Sequence, residues 1–126
     1  MTTIVVRNVE PYAPGDESAT VTLSSALGDI VVFCYPCDLK PGDQVENHLS
    51  ALDANVQAAY LVDWPEEVKQ EKSRPRLERV GKYGYRGCGR VIDQSSGLVE
   101  VLGFHIDLGE VPCDGPVEFE CTRIDL

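Results

Sequence analysis

The chain is predicted to fold as one mainly β domain, and three features of its 126 residues carry that expectation. Val117, Phe119 and Cys121 alternate with Glu118, Glu120 and Thr122, the period-two pattern of a strand with one apolar face. Ile30-Val31-Val32-Phe33-Cys34-Tyr35 is a β-branched and aromatic run preceded by turn residues. Hydrophobic residues at 43% and charged residues at 25% suit a soluble globule, and the length supports one core without disulfide or metal staples.

Taken in order, residues 1–10 read as an edge strand and 11–17 as a loop. Residues 20–24 place Val21 and Leu23 on one face; Ala26-Leu27-Gly28-Asp29 is a turn, and 30–35 returns to complete a hairpin. After the turn Lys40-Pro41-Gly42-Asp43, residues 44–52 fit a third strand, while Leu49, Leu52, Val56, Ala59 and Tyr60 fit a helical stripe equally well. Asp63-Trp64-Pro65-Glu66 carries helix-start chemistry, an N-cap acid, a proline in the first turn and a glutamate three residues on. A helix over 64–72, ending before Pro75, is the expectation. Residues 77–93, 98–108 and 117–124 then read as three long strands of an antiparallel meander. No internal repeat, low-complexity tract or interdomain linker interrupts the chain.

The segments GDIVVFCYPCDLKPGDQV and GKYGYRGCGRVID resemble the second-strand-to-turn region and a bent barrel strand of small OB-fold-like bacterial proteins of uncharacterised function. The resemblance is one of architecture and spans residues 20–108. It implies a small antiparallel β-barrel, an OB-like Greek key with one or two short helices, whose ligands meet the open barrel face and adjoining loops.

Charge is distributed unevenly. Residues 69–90 hold eight of the eleven Lys and Arg but only Glu71 and Glu78 of the 21 acids, so this strip carries +6. The remainder, with three bases and nineteen acids, carries −16. A cationic strip on an anionic body attracts a small anionic ligand or an acidic protein surface, while the net charge of −10 disfavours duplex nucleic acid and anionic membranes. On a continuous strand Lys82, Arg86 and Arg90 fall on one face at intervals of roughly 13 Å, with Tyr83 and Tyr85 on the other. Glycines 81, 84, 87 and 89 bend that strand or admit a ligand to its backbone. The candidate partner-binding set is Arg79, Lys82, Tyr83, Tyr85, Arg86, Arg90 and His105.

Chemistry-bearing motifs are few. Cys34-Tyr-Pro-Cys37 has redox spacing, but the turn that follows supplies no helix N-terminus to lower a thiol pKa. Cys88, His105, Cys113 and Cys121 show no matching zinc spacing, so the five cysteines are expected to be reduced, with no metal or other cofactor. His105 and Asp107 stand at i, i+2 on one strand face, and Cys88 with His105 is the conceivable nucleophile pair, yet neither forms a recognised catalytic motif. The start of the chain lacks a basic n-region and apolar h-region, which points to the cytoplasm. The leading expectation is a non-enzymatic binding or adaptor module of undetermined oligomeric state. An acidic inhibitor or immunity-type protein that plugs a basic site is the alternative, and a small enzyme using His105 and Asp107 the third reading.

Overall fold

The structure, a computed structural model, describes residues 3–60 and 63–126. Its elements in chain order are β1 (Thr3–Pro11), β2 (Ala19–Ser24), β3 (Asp29–Cys34), β4 (Gln44–Glu46), β5 (Leu49–Leu52), β6 (Asn55–Ala58), α1 (Glu66–Lys72), β7 (Arg76–Val80), β8 (Gly84–Asp93), β9 (Leu98–Val101), β10 (Phe104–Asp107), β11 (Pro116–Cys121) and β12 (Arg123–Asp125). The domain is mainly β, as the alternating patterns predict. No helix among the described residues is long and apolar enough to cross a membrane.

The strands form one sheet in the order β4-β1-β2-β3-β12-β5-β10-β9-β8-β11-β6, with β7 paired to β8 beside that path. The path begins at β4 and ends at β6, so it does not close into the expected barrel. Pairing is mostly antiparallel; β5 with β10 and β3 with β12 are the parallel exceptions. Val21 and Leu23, Ile30 and Val32, Val99 and Val101, Phe104 and Ile106, Val117 and Ile124 supply inward faces to one fully buried cluster. Each such side chain contributes about 1.5–3 kcal/mol by leaving water.

Several local expectations change. β1 is not an edge strand but lies between β4 and β2, and its alternating Ile4 and Val6 turn to the core. The Lys40-to-Asp43 turn carries the chain back along β1, with Val6 N–H donating to the Asp43 carbonyl at 2.8 Å and Gly42 N–H to the Val6 carbonyl at 2.7 Å. The ambiguous segment after it forms β4, β5 and β6 rather than a helix, because Asp53 at φ 53° reverses the chain and pairing with β10, β12 and β11 rewards extended backbone. Leu61 and Val62 lie outside the described residues.

The helix begins at Glu66, with an extended Pro65 (ψ 146°) at its cap position and no side-chain cap, so Asp63 does not serve as N-cap. Its first-turn Glu66 and Glu67 and last-turn Lys69 and Lys72 suit the helix dipole. Each of the three long strands is broken in two. Gly81, at φ 71°, opens the turn between β7 and β8; Leu102 (φ 49°) and Gly103 (φ 86°) make the tight β9–β10 turn. At Thr122 the backbone N–H and Oγ1 both donate to the Leu52 carbonyl, at 3.0 and 3.1 Å, and separate β11 from β12.

Candidate functional site

The β7–β8 hairpin decides what becomes of the cationic strip. Because residues 81–83 form its turn, Lys82 leaves the strand, and only Arg86 and Arg90 keep the shared outward face of β8. Between them Cys88 is fully buried, its thiol 3.4 Å from the Lys72 carbonyl at the end of α1. Register places Arg86 between Glu78 of β7 and Glu120 of β11, and Arg90 opposite Glu100 of β9. Arg86 Nε lies 4.0 Å from Glu78 Oε2, and Arg76 Nη2 lies 3.3 Å from Glu118 Oε1. Arg79 donates from Nε and Nη2 to the Lys82 carbonyl, at 3.0 and 2.6 Å, and so ties the turn. The strip is therefore partly neutralised by the protein's own acids.

The glycines of β8 serve packing. A Cβ at Gly87 would meet the Phe119 ring at 3.1 Å, and one at Gly89 would meet the Glu100 carbonyl oxygen at 2.5 Å. They let the neighbouring strands approach closely.

The two tyrosines part company, against the expectation of a shared face. Tyr85 is buried at 4% exposure, and its hydroxyl accepts the Val31 N–H at 2.8 Å, which satisfies a β3 donor and locks the ring in the core. Tyr83 instead joins Tyr12 and Phe33 on the outside of the sheet. Ring centroids are 6.0 Å apart for Tyr12–Phe33 and 6.3 Å for both Tyr12–Tyr83 and Phe33–Tyr83, edge-to-face about Phe33 and stacked between the tyrosines. The Tyr83 hydroxyl bonds Thr20 Oγ1 at 2.8 Å and also the Tyr12 hydroxyl.

Two cations border this aromatic platform. Lys82 Nζ stands 5.3 Å from the Tyr12 ring centre and 5.4 Å from that of Tyr83. The Arg123 guanidinium lies 4.2 Å from the Phe33 ring centre and is held by Asp125 through bonds of 2.6 and 3.0 Å. Arg123 is thus matched by a carboxylate, whereas Lys82 has none within ion-pair distance among the described residues. Partial burial and the hydrogen bond with Tyr83 push the Tyr12 phenol up to about 12. Burial acts to raise Tyr83 as well, but hydrogen bonds with Thr20 and Tyr12 and the Lys82 charge outweigh it, leaving Tyr83 below the usual tyrosine value. With Tyr12 47% exposed, the platform offers aromatic surface and a free ammonium group at one place.

Sequence reasoning placed Lys82 and Tyr83 in the site but missed Tyr12, Phe33, Thr20 and Arg123. Phe33 carried a signal, since it alternates with buried Val32 and Cys34 and must face outward. Tyr12 lies in a loop and carried none.

His105 and Asp107 share a face of β10 but engage different groups. His105 Nε2 lies 3.3 Å from Glu100 Oε2, and Asp107 Oδ1 accepts the Gly109 N–H at 2.8 Å. The His105 N–H donates to Asn47 Oδ1 at 3.0 Å. Cys88 is engaged with Lys72, and burial raises its thiol pKa. All five cysteines are free thiols; burial and neighbouring Cys37 push Cys34 up to about 12. No cluster of three or more His, Cys, Asp or Glu among the described residues is arranged to hold a metal ion.

Comparison with known proteins gives no relative from which to read this surface: no family model, no curated protein sequence and no solved structure matches the chain.

Proposed function

We propose that the protein is a non-enzymatic binding module whose partner-facing element is the Tyr12–Phe33–Tyr83 platform with Lys82, and that its partner is an acidic segment of another protein. The observation carrying this reading is the position of Lys82, an ammonium group over two tyrosine rings with no carboxylate within ion-pair distance among the described residues, while its neighbour Arg123 is matched by Asp125. An exposed cation fixed over aromatic faces supplies a point charge for a carboxylate, and the rings supply apolar contact with little loss of side-chain freedom. Of the strip's cations, Lys82 is the one set over two aromatic rings. The OB-like likeness of residues 20–108 agrees with ligand binding on a strand face and adjoining loops, and remains part of this proposal.

The inhibitor reading has one observation of its own. Exposed Glu17 and Asp38 stand on neighbouring loops, joined by a 2.7 Å bond from Cys37 N–H to the Glu17 carbonyl, with Asp16 adjacent. This concentrates negative charge where a basic partner would meet it.

One experiment weighs both. The isotopically labelled protein is titrated separately with a poly-glutamate and a poly-lysine peptide at low salt while backbone amide shifts are followed. Poly-glutamate shifts confined to Tyr12, Lys82, Tyr83 and their neighbours support the platform; poly-lysine shifts centred on Asp16, Glu17 and Asp38, with none from poly-glutamate, replace it with the inhibitor reading.

A further inference from the structure

On the far side of the strip's hairpin, β6, β11, β8 and β7 present an outward face whose side chains form two rows. Across β7-β8-β11-β6, register sets Glu78, Arg86, Glu120 and Asn55 in one row and Arg76, Cys88, Glu118 and Gln57 in the next. Three inter-strand steps of about 4.8 Å make each row roughly 14 Å long. A cavity of about 490 Å³ lies over the rows, lined by Asn55, Gln57, Arg76, Arg86, Glu118 and Glu120. A second, of about 340 Å³, shares Gln57 and Glu118 with it and extends the trough to Tyr60, Trp64 and Lys72. Each is within the roughly 300–1,000 Å³ of small-molecule sites.

The chemistry of the floor selects among ligands. Its guanidinium groups are matched at home, Arg76 to Glu118 at 3.3 Å and Arg86 to Glu78 at 4.0 Å, while Gln57 Nε2 donates to Glu118 Oε2 at 3.2 Å. Arg76, Arg86 and Lys72 balance Glu78, Glu118 and Glu120, so the trough offers no net charge to a polyanion or a polycation. A hydroxyl group, donor and acceptor at once, can join such pairs without displacing them, and planar guanidinium, carboxylate and amide groups meet adjacent hydroxyls two at a time. The bonds from Gln57 and Arg76 to Glu118 also hold those three side chains in place before a ligand arrives, which lowers the ordering cost of binding. At the far end Trp64 supplies a flat aromatic surface, with Tyr60 beside it carrying Lys69 at 5.5 Å. Aromatic faces accept the C–H face of a sugar ring, whose weakly positive hydrogens meet the negative face of the π-system.

We infer that this trough is a second binding site, distinct from the Lys82 platform, and that it takes an uncharged polyhydroxylated chain, a neutral oligosaccharide. The alternating donors and acceptors bind ring hydroxyls, and Trp64 stacks against one sugar at the end of the run.

The chain has a single tryptophan, so Trp64 emission reports on this site directly. The protein is titrated with maltohexaose, cellohexaose and acetylated chitohexaose, and with a heparin-derived hexasaccharide as the anionic comparison, with calorimetry in parallel. The expected result is a saturable change with at least one neutral probe, weakened about tenfold or more in N55A/Q57A and unchanged in K82E. If the double variant loses its thermal transition, the near-isosteric E120Q substitution takes its place and is expected to weaken binding in the same direction. Absence of saturable binding to all three neutral probes, binding of the heparin fragment alone, or equal affinity in the wild type and the trough variants would overturn the assignment. The Lys82 platform is untouched by these variants, so its proposal stands or falls separately.

Discussion

Tyr83 and Thr20 are 63 residues apart in sequence and joined by a 2.8 Å hydroxyl bond that pins the β7–β8 turn to the outer face of β2. The same phenol bonds Tyr12, so one side chain ties a turn, a strand and a loop into the platform. Replacing Tyr83 by Phe keeps the ring contacts with Phe33 and removes both bonds. A loss of about 0.5–1.5 kcal/mol is expected in urea denaturation. Tyr12 should also titrate closer to its ordinary value, because the bond to Tyr83 helps raise it. Ultraviolet phenolate titration checks this second outcome, and an unaltered Tyr12 would show that the two phenols are not coupled.

Asn47 is the one buried polar side chain among the described residues, and it stands in for a strand. Its Nδ2 donates to the Gly103 carbonyl at 2.9 Å and its Oδ1 accepts the His105 N–H at 3.0 Å, just before β5 takes up pairing with β10 at Leu49. Asn47→Ala leaves both backbone groups unsatisfied beside the core and should cost about 1–3 kcal/mol. Asn47→Asp should be poorer than Asn, since it retains the acceptor but loses the donor to Gly103. Thermal melts of the two variants test this; a neutral Asn47→Ala would mean that water replaces the amide without loss.

Gly89→Ala is expected to destabilise the protein by about 1–3 kcal/mol. The added methyl would approach the Glu100 carbonyl oxygen and Val101 Cγ2 at 2.5 Å and Val99 Cγ1 at 2.8 Å, and the backbone oxygen cannot swing aside as a side-chain terminus would. Equilibrium unfolding of the variant measures the effect, and wild-type stability would contradict the close approach of β8 and β9.

Stability should fall on the alkaline side. Burial raises the Cys34 thiol from its ordinary 9.0 to about 12, so the folded state holds a proton that the unfolded chain releases. The associated stability is complete below pH 9.0 and is lost as pH rises towards about 12. Tyr12, raised from 10.0 to about 12, acts in the same direction, while its partner Tyr83, held below its ordinary value, opposes it. Cys34→Ala lowers the baseline by leaving a small void, but it should flatten the slope of stability against pH in that window. Urea midpoints across the range decide it: a slope equal to that of the wild type would show that Cys34 does not titrate there differently in the two states.

The β2–β3 hairpin and β11 were legible because their side chains alternate strictly and one face of each is buried, so local pattern and tertiary environment agree. The breaks within the long strands were not. Gly81 and Leu102-Gly103 are short interruptions in runs that otherwise satisfy strand propensity, and a positive φ at Leu102 has no side-chain signature. The charge strip was correctly found as a composition feature, but its fate depended on pairing: only register brings Glu78 and Glu120 to either side of Arg86, from positions 8 and 34 residues away. For the same reason Tyr12 and Arg123, at opposite ends of the chain, entered the platform unannounced. Lys82 and Tyr83 were named from the strip, yet by an argument about strand faces that the turn removed.

The most direct test of the platform is the affinity of a fluorescently labelled acidic peptide for the wild type, K82E and R86E at several salt concentrations. Both substitutions reverse one exposed charge of the same strip, so long-range steering changes equally and only the local role differs. The platform reading predicts a loss of about tenfold or more for K82E at wild-type thermal stability, and a change within about threefold for R86E, which melts lower because it sets a third carboxylate between Glu78 and Glu120. Equal losses in the two variants, or undiminished binding by K82E, would contradict it and return the protein's positive charge to the role of balancing its own acids.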